Sequence, residues 1–302
     1  MASLFRFKKQ GILMQIGVSS YSYSLLVGGG PGQMSIFDVV ARAKEMKFEA
    51  IEFAGIPVRS GENTEAVAAR LREVCEQNGL PIASYTVGGD LLNGSGGNQT
   101  TEIERLKGEV RIAKLLRVPV MRHDAAYGPG KGSRGFGDSL PLLAKGCRAV
   151  TEYAADLDVR TAVENHGFFC QDSERVEQLV LAVNHANFGV LLDAGNFLCA
   201  DESPVTAVAR LMPYVFHVHV KDFHVKPGNG PNPGSGWFGS RAGNYLRGSI
   251  IGHGEVPVLQ CLRIIKEAGY TGVLSVEFEG MEDPITGIAT GRDNLARYLQ
   301  SI

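Results

Sequence analysis

Four short apolar runs in the second half of the chain end in groups that ionise or bind metals: Thr161–Glu164, Phe188–Asp193, Val215–Asp222 and Gly272–Glu277. Val215–Asp222 reads Val-Phe-His-Val-His-Val-Lys-Asp. On a strand its period of two sets His217, His219 and Lys221 on one face and Phe216, Val218 and Val220 on the other. The same alternation sets Glu164 with Ala162 and opposite Val163, and Asp193 with Leu191 and opposite Leu192. Glu277 and Glu279 go with Ser275, opposite Val276 and Phe278. If the flanking apolar side chains lie against helices, three carboxylates and His219 face one interior. Such groups repel one another, and burying them unpaired is costly, so something positive must sit among them. A divalent cation is the simplest answer. Three oxygens and one nitrogen form a mostly hard donor set, which suits Mn2+ first, with Mg2+, Co2+ and Zn2+ as alternatives. No cysteine takes part, which argues against a closed structural zinc site. A lone strand-end carboxylate is commonly a helix cap or ion-pair partner, and a lone histidine a hydrogen-bonded core residue. Four coincidences on successive strands are harder to assign that way.

Other polar side chains fall where they would line the same space. His123 ends the fourth strand, where an imidazole is a candidate acid or base toward a leaving group. His166 follows Glu164 by two residues and is a substrate-binding candidate, and Lys221 is placed to orient a carboxylate. His217 belongs one layer deeper. The stretch Phe223–Gly254 carries Trp237, Arg241, Arg247 and His253. Trp237 is a candidate to stack on a sugar ring, or to pin the loop, and Arg247 to meet a phosphate or carboxylate.

The elements that must hold these residues alternate along the chain. Strands are expected at Ile16–Ser20, Ala50–Phe53, Ile82–Thr86, Val118–Arg122, Thr161–Glu164, Phe188–Asp193, Val215–Lys221 and Gly272–Glu277. Helices are expected to follow them: Ser35–Lys47, Thr64–Asn78, Thr101–Leu116, Leu140–Leu157, Ser173–Val183, Ser203–Leu211, Val256–Ala268 and Pro284–Tyr298. Strand–helix alternation at this spacing implies a parallel sheet. Eight units with no domain left over imply an α/β fold of the closed (β/α)8 TIM-barrel kind, whose strand C-termini form the active-site face. An open doubly wound sheet is the alternative, but no glycine fingerprint follows the first strand: Gly28–Gly30 comes late and lacks the spacing. Residues 14–302 then form one domain and residues 1–13 an N-terminal extension, with Met14 an alternative start. Two glycine-rich loops stand out, Gly128–Gly137 and the long connection 223–254. A connection that long on the active-site face is expected to be a lid.

Composition narrows the function classes. The 302 residues carry 30 basic and 32 acidic side chains, a formal net charge of -2, so nothing favours nucleic acid or an anionic membrane as partner. An anionic substrate would have to be met by a local cluster. The five cysteines are scattered and form no CxxC pair, which excludes zinc-finger and disulfide-scaffold readings and fits reduced thiols in a cytoplasmic protein. No apolar run approaches the ~20 residues of a membrane span.

Five pieces carry a resemblance. They are Val163-Glu164-Asn165-His166-Gly167, Leu192-Asp193-Ala194-Gly195-Asn196, His217-Val218-His219-Val220-Lys221-Asp222, Gly252-His253-Gly254-Glu255-Val256-Pro257 and Ser275-Val276-Glu277-Phe278-Glu279. Together they resemble the xylose isomerase-like barrels of the sugar phosphate isomerase/epimerase superfamily, which includes ketose 3-epimerases, hydroxypyruvate isomerase, inosose dehydratase and endonuclease IV. The resemblance implies that Glu164, Asp193, His219 and Glu277 are metal ligands. Asn196 stands where the epimerases place a substrate-binding histidine, a departure that bears on the ketose 3-epimerase assignment. Endonuclease IV is set aside: its three-metal cluster needs more histidine ligands than this chain offers.

The chemistry expected of such a site is proton abstraction next to a carbonyl through an enediolate, with Glu164 and Glu277 as the catalytic pair that removes and returns the proton. That makes the chain a metal-dependent isomerase or epimerase of a small sugar or keto sugar. The alternatives are a lyase or dehydratase acting on a 3-keto sugar or inosose, and a non-catalytic sugar-binding barrel. Barrels of this kind often pair through their helices, so a homo-oligomer is compatible with the sequence.

Overall fold

The first strand, β1 (Gln15–Ser19), is built from residues that are all buried after Gln15, and the later barrel strands are likewise mostly buried. A computed structural model describes residues 14–28, 32–58 and 61–302. The expected extension 1–13 lies outside the described residues. After β1 come β2 (Ala50–Ala54), β3 (Ile82–Val87), β4 (Val120–His123), β5 (Arg160–Glu164), β6 (Phe188–Asp193) and β7 (Val215–Val220). The chain then makes three strands outside the barrel, β8 (Asp222–Lys226), β9 (Phe238–Gly239) and β10 (Tyr245–Ser249), before β11 (Val273–Val276). The barrel closes in the order β1-β11-β7-β6-β5-β4-β3-β2, with every pair parallel. This is the closed eight-stranded parallel barrel that the strand–helix alternation implies.

Helices cover the outside. They are α1 (Ile36–Glu45), α2 (Thr64–Gln77), α4 (Gln99–Leu116), α5 (Phe136–Ala155), α6 (Ser173–Val183), α7 (Pro204–Leu211), α8 (Val258–Glu267) and α9 (Pro284–Gln300); a single turn, α3 (Gly94–Gly97), precedes α4. Ser35 caps α1 through a reciprocal box with Asp38, and Asn63, Asn98, Asp172 and Asp283 cap α2, α4, α6 and α9. Outward-facing strand residues such as Val163, Val190, Leu192, Val218 and Val220 join the apolar faces of these helices in one core. No helix among the described residues is long and apolar enough to cross a membrane. All five cysteines are buried and unpaired.

Three features depart from the sequence expectation, each for a local reason. First, Phe216 does not share a face with Val218 and Val220. The β6–β7 register skips a residue, pairing Val190 with Val215 but Leu191 with His217. This bulge turns Phe216 into the barrel, against Val120, Ala162 and Leu191, with the Arg160 guanidinium 4.4 Å from its ring centre. Second, α5 starts at Phe136 rather than Leu140. The Phe136 ring is buried against Phe169, 5.7 Å between ring centres, and that anchor extends the helix into the glycine-rich loop. Third, the connection 223–254 is not a bare loop. Its two ends form an antiparallel sheet in the order β8-β10-β9, because Phe223, Val225 and Leu246 supply an apolar row that packs on Leu198 and Cys199.

Candidate metal centre and active site

The barrel interior is lined by every second strand residue, and toward the strand C-termini that lining becomes ionic. β5, β6, β7 and β11 are consecutive neighbours in the barrel, so Glu164, Asp193 and His219 arrive side by side, with Glu277 just past the end of β11. Asp193 and His219 are register partners. The Glu277 amide donates to the Val220 carbonyl at 3.1 Å, which fixes the residue at the rim. One ligand-type atom from each of the four residues lies within 4.8 Å of all the others, and all four residues are buried. The structure thus brings together the set singled out in the sequence.

Whether these groups fit a cation can be judged from the atoms that make no hydrogen bond. Asp193 Oδ2 and His219 Nδ1 are buried and lack a hydrogen-bond partner. They lie 3.8 Å apart, and Glu277 Oε1 is 3.4 Å from the same imidazole nitrogen. Donors about 2.1 Å from one ion stand about 3 Å apart when adjacent and about 4.2 Å when opposite, so these separations match a shared ion. The donor set is three carboxylates and one imidazole, as a hard divalent ion requires. The residues present therefore fit the ion the donor chemistry calls for.

The surrounding charges hold the cluster together. Lys221 Nζ is 2.5 Å from Glu277 Oε2, 3.3 Å from Glu279 Oε2 and 3.4 Å from Asp193 Oδ2. Arg122 Nη2 reaches Glu164 Oε2 at 2.7 Å and Asp124 Oδ1 at 2.6 Å, while its Nη1 donates to the Val87 carbonyl. Asn196 Nδ2 donates to Glu164 Oε1 at 2.9 Å, and Lys221 donates weakly to Asn196 Oδ1 at 3.4 Å. Asp193 Oδ1 accepts the backbone N–H groups of Gly195 and Asn196.

Protonation preferences follow from these contacts. Burial pushes the Glu164 carboxyl above its ordinary range, and Arg122 offsets that only in part. Burial also opposes ionisation of Asp193, but Lys221 and His219 outweigh it and hold this carboxyl low. Lys221 is held well above its ordinary value: burial works against its charge, and the carboxylates of Asp193, Glu277 and Glu279 overcome it.

The substrate-side candidates divide. Lys221 and Asn196 belong to the cluster. His166 sits at the rim, half-exposed, with Nδ1 2.9 Å from Asp124 Oδ1 and its ring edge-on to Tyr127. His123 is not brought to the cluster. It faces away from Arg122 along β4, fully buried, with Nδ1 2.9 Å from the Asp124 carbonyl and its ring 6.4 Å from Phe188. Trp237 lies between Lys226 and Arg247, the cations 5.3 and 5.5 Å from its ring centre, and Arg247 reaches Glu282 at 3.7 Å. These two side chains brace the connection 223–254 to itself and to the segment after β11.

The connection 223–254 is tied to the rim at several points. Arg241 pairs with Asp172 at 2.8 Å and also donates to the Phe168 carbonyl. Asp201 accepts from Ser240 at 2.6 Å and from Asn244 at 2.8 Å. Asp222 accepts four backbone N–H groups, from Phe223, Gly252, Gly254 and Val256, which clamps both ends of the excursion. Gly248 bridges to Gly280, where a Cβ would stand 2.3 Å from the Glu279 carbonyl oxygen.

Three contributors escaped sequence reasoning: Glu52, Arg122 and Asp124. Glu52, fully buried on β2, takes the Nε2–H of His217 at 2.8 Å and that of His219 at 2.8 Å. Burial opposes its charge, and the two imidazoles, His219 foremost, reverse that and hold it low. Asp124 joins Arg122, His166 and Tyr127, and these partners outweigh burial to hold it at about 2. The available signal was a charged residue inside an otherwise apolar strand, as in Ala-Ile-Glu-Phe-Ala.

With this geometry in place, comparison with known proteins gives a consistent result. Residues 40–298 match the family described as xylose isomerase-like TIM barrel. An inosose dehydratase of Clostridium botulinum is 27% identical over 146 residues, covering 47% of each chain. The chain therefore spans about half the length of the curated relatives it matches. A xylose isomerase domain protein of Planctomyces limnophilus superposes with a TM-score of 0.72 at 17% identity, over 96% of this chain and 98% of that one. An L-ribulose 3-epimerase structure gives 0.71 at 14% identity, over 96% and 95%. The family match covers most of the chain and agrees with the closed barrel and its ionic mouth: this protein belongs to the xylose isomerase-like TIM barrel family.

Proposed function

We propose that the chain is a divalent-metal-dependent sugar isomerase or epimerase that removes and returns a proton beside a carbonyl. The observation that carries this reading is the convergence of Glu164, Asp193, His219 and Glu277, with two of their buried atoms lacking any hydrogen bond. These four residues would hold the ion, with Mn2+ the first choice and Mg2+, Co2+ or Zn2+ as alternatives. When bound, it would polarise a substrate carbonyl and neutralise charge that develops there.

The protein's own groups supply the rest. Glu164 and Glu277 come from β5 and the end of β11, with β6 and β7 between them, so the two carboxylates approach the centre from different sides. One would take the proton and the other deliver it, inverting a carbon or relocating a carbonyl. Burial raises the Glu164 carboxyl above its ordinary range, which makes it a stronger base toward a C–H proton once ionised. Arg122 and Asn196 fix its two oxygens, and Lys221 keeps Glu277 in place. Lys221, Asn196 and His166 are the groups proposed to meet a small sugar or keto sugar. The lid, braced through Trp237 and Arg247, would exclude water from it.

Dehydration is the second reading, favoured by the sequence identity to inosose dehydratases. It begins with the same proton removal, but the electron pair left on carbon then forms a C=C bond as the neighbouring hydroxyl takes up a proton from an acid in the site and leaves as water. The test is to incubate Mn2+-loaded protein in D2O with a panel of keto sugars and inososes and weigh the products. Deuterium gained without loss of mass supports the isomerase or epimerase; loss of water supports the dehydratase. Metal-replete protein that does neither, and binds a sugar equally well as the Glu164→Gln variant, would leave only the non-catalytic barrel.

A further inference from the structure

Beneath the four ligands lies a second layer whose hydrogen bonds run in one direction. Glu52 projects from β2, three strands from β7 around the barrel, and is fully buried. Both of its oxygens lie near His219 Nε2, at 2.8 and 2.9 Å, and Oε2 is also 2.8 Å from His217 Nε2. His217 Nε2 is in turn 3.0 Å from Ser275 Oγ. A carboxylate has no proton to give, so each imidazole must bring the hydrogen to its contact with Glu52. The other nitrogen of His219, Nδ1, is buried with no hydrogen-bond partner and points between Asp193 and Glu277.

We infer that Glu52 is a positioning residue: by holding the His219 proton on Nε2 it leaves the Nδ1 lone pair facing the metal site, and by its charge it makes that nitrogen a better donor. This rests on the metal reading above. A ligating imidazole needs one nitrogen free and gains from a carboxylate on the other. Here both conditions are met by one residue from across the barrel. The alternative for the same three residues is a second cation among Glu52, His217 and His219, which also lie within ligand distance of one another. Direct 2.8 Å contacts between the carboxylate and both imidazoles favour the hydrogen-bonded arrangement.

The test uses the full chain and Mn2+ alone as probe. Mn2+ affinity and stoichiometry are measured by calorimetry for the wild type, Glu52→Gln and His219→Ala. In parallel, 15N–1H NMR of Mg2+-loaded wild type identifies the protonated nitrogen of each imidazole. One Mn2+ per chain is expected, bound about 10–100-fold more weakly by Glu52→Gln, with the His219 hydrogen on Nε2. Wild-type affinity in Glu52→Gln, a hydrogen on Nδ1, or a second Mn2+ that the variant removes would each overturn the inference. The NMR measurement needs no variant, so it decides the matter even if Glu52→Gln does not fold. Wild-type protein that takes up no Mn2+ overturns the metal reading and this one with it. Uptake indifferent to Glu52 overturns this one alone.

Discussion

Replacing Arg122 by Met keeps most of the side-chain volume and removes one charge from the base of the site. Arg122 is 8% exposed and donates to Glu164, Asp124 and the Val87 carbonyl. Hydrogen bonds to a charged group contribute about 1.5–3 kcal/mol each. Removing one partner of a buried ion pair typically costs about 3–5 kcal/mol, because the partner is left as an uncompensated charge. Two carboxylates are stranded here, so the expected loss is about 3–5 kcal/mol, or roughly 6–15 °C in Tm for a chain of this size. The loss must depend on pH. Burial already holds the Glu164 carboxyl high, and without Arg122 it rises further. A carboxyl raised in the folded state favours folding most when protonated, so stability falls as pH rises from its unfolded value through its folded one. The gap between variant and wild type should therefore be widest near neutral pH and narrow on acidification. Thermal unfolding of both proteins from pH 7 down to pH 5 is the assay. A deficit under about 1 kcal/mol at pH 7, or one that grows as pH falls, would refute the assignment of Arg122 as the counter-charge of this pair.

Other outcomes follow from single contacts. Asp222→Ala releases four backbone N–H groups at the base of the connection 223–254; limited proteolysis should then cut within 223–251 faster than in the wild type while the barrel stays intact, and unchanged cleavage would contradict a clamp. Glu102 is bonded to Arg105, Ser95 and the Asp90 amide, which outweigh burial and hold it at about 2. Its stabilisation is present above the unfolded carboxylate value and lost as pH falls toward about 2. Glu102→Gln should therefore be less stable than wild type at pH 7 and converge with it at strongly acidic pH, as followed by circular dichroism. Leu192→Ala empties a fully buried position between barrel and helices and should destabilise by about 2–5 kcal/mol in urea unfolding without changing metal content.

The barrel and the four side chains that converge at its mouth were legible because two periodicities coincide. Strand alternation gives the face, and a charged residue at the end of an apolar run gives the height, as in Thr-Ala-Val-Glu and Phe-Gly-Val-Leu-Leu-Asp. Where the phase was ambiguous, the reading slipped. Val120 and Met121 are both apolar, so nothing in β4 says whether Arg122 or His123 faces inward. The bulge that turns Phe216 inward is a register event between two strands, invisible in either alone. Glu52 is a lone acid in the middle of a short apolar strand, and its partners appear only when β7 is placed three strands away with its imidazoles in reach. The β8-β10-β9 sheet hid behind its glycines and prolines, although Asp-Phe-His-Val-Lys in β8 already alternates.

The most direct measurement is metal content by mass spectrometry of the purified wild type and of His219→Ala, both dialysed against Mn2+ and then against metal-free buffer. The account predicts about one tightly held divalent ion per chain in the wild type and little or none in the variant. Equal metal in both proteins, or none in either, would contradict it.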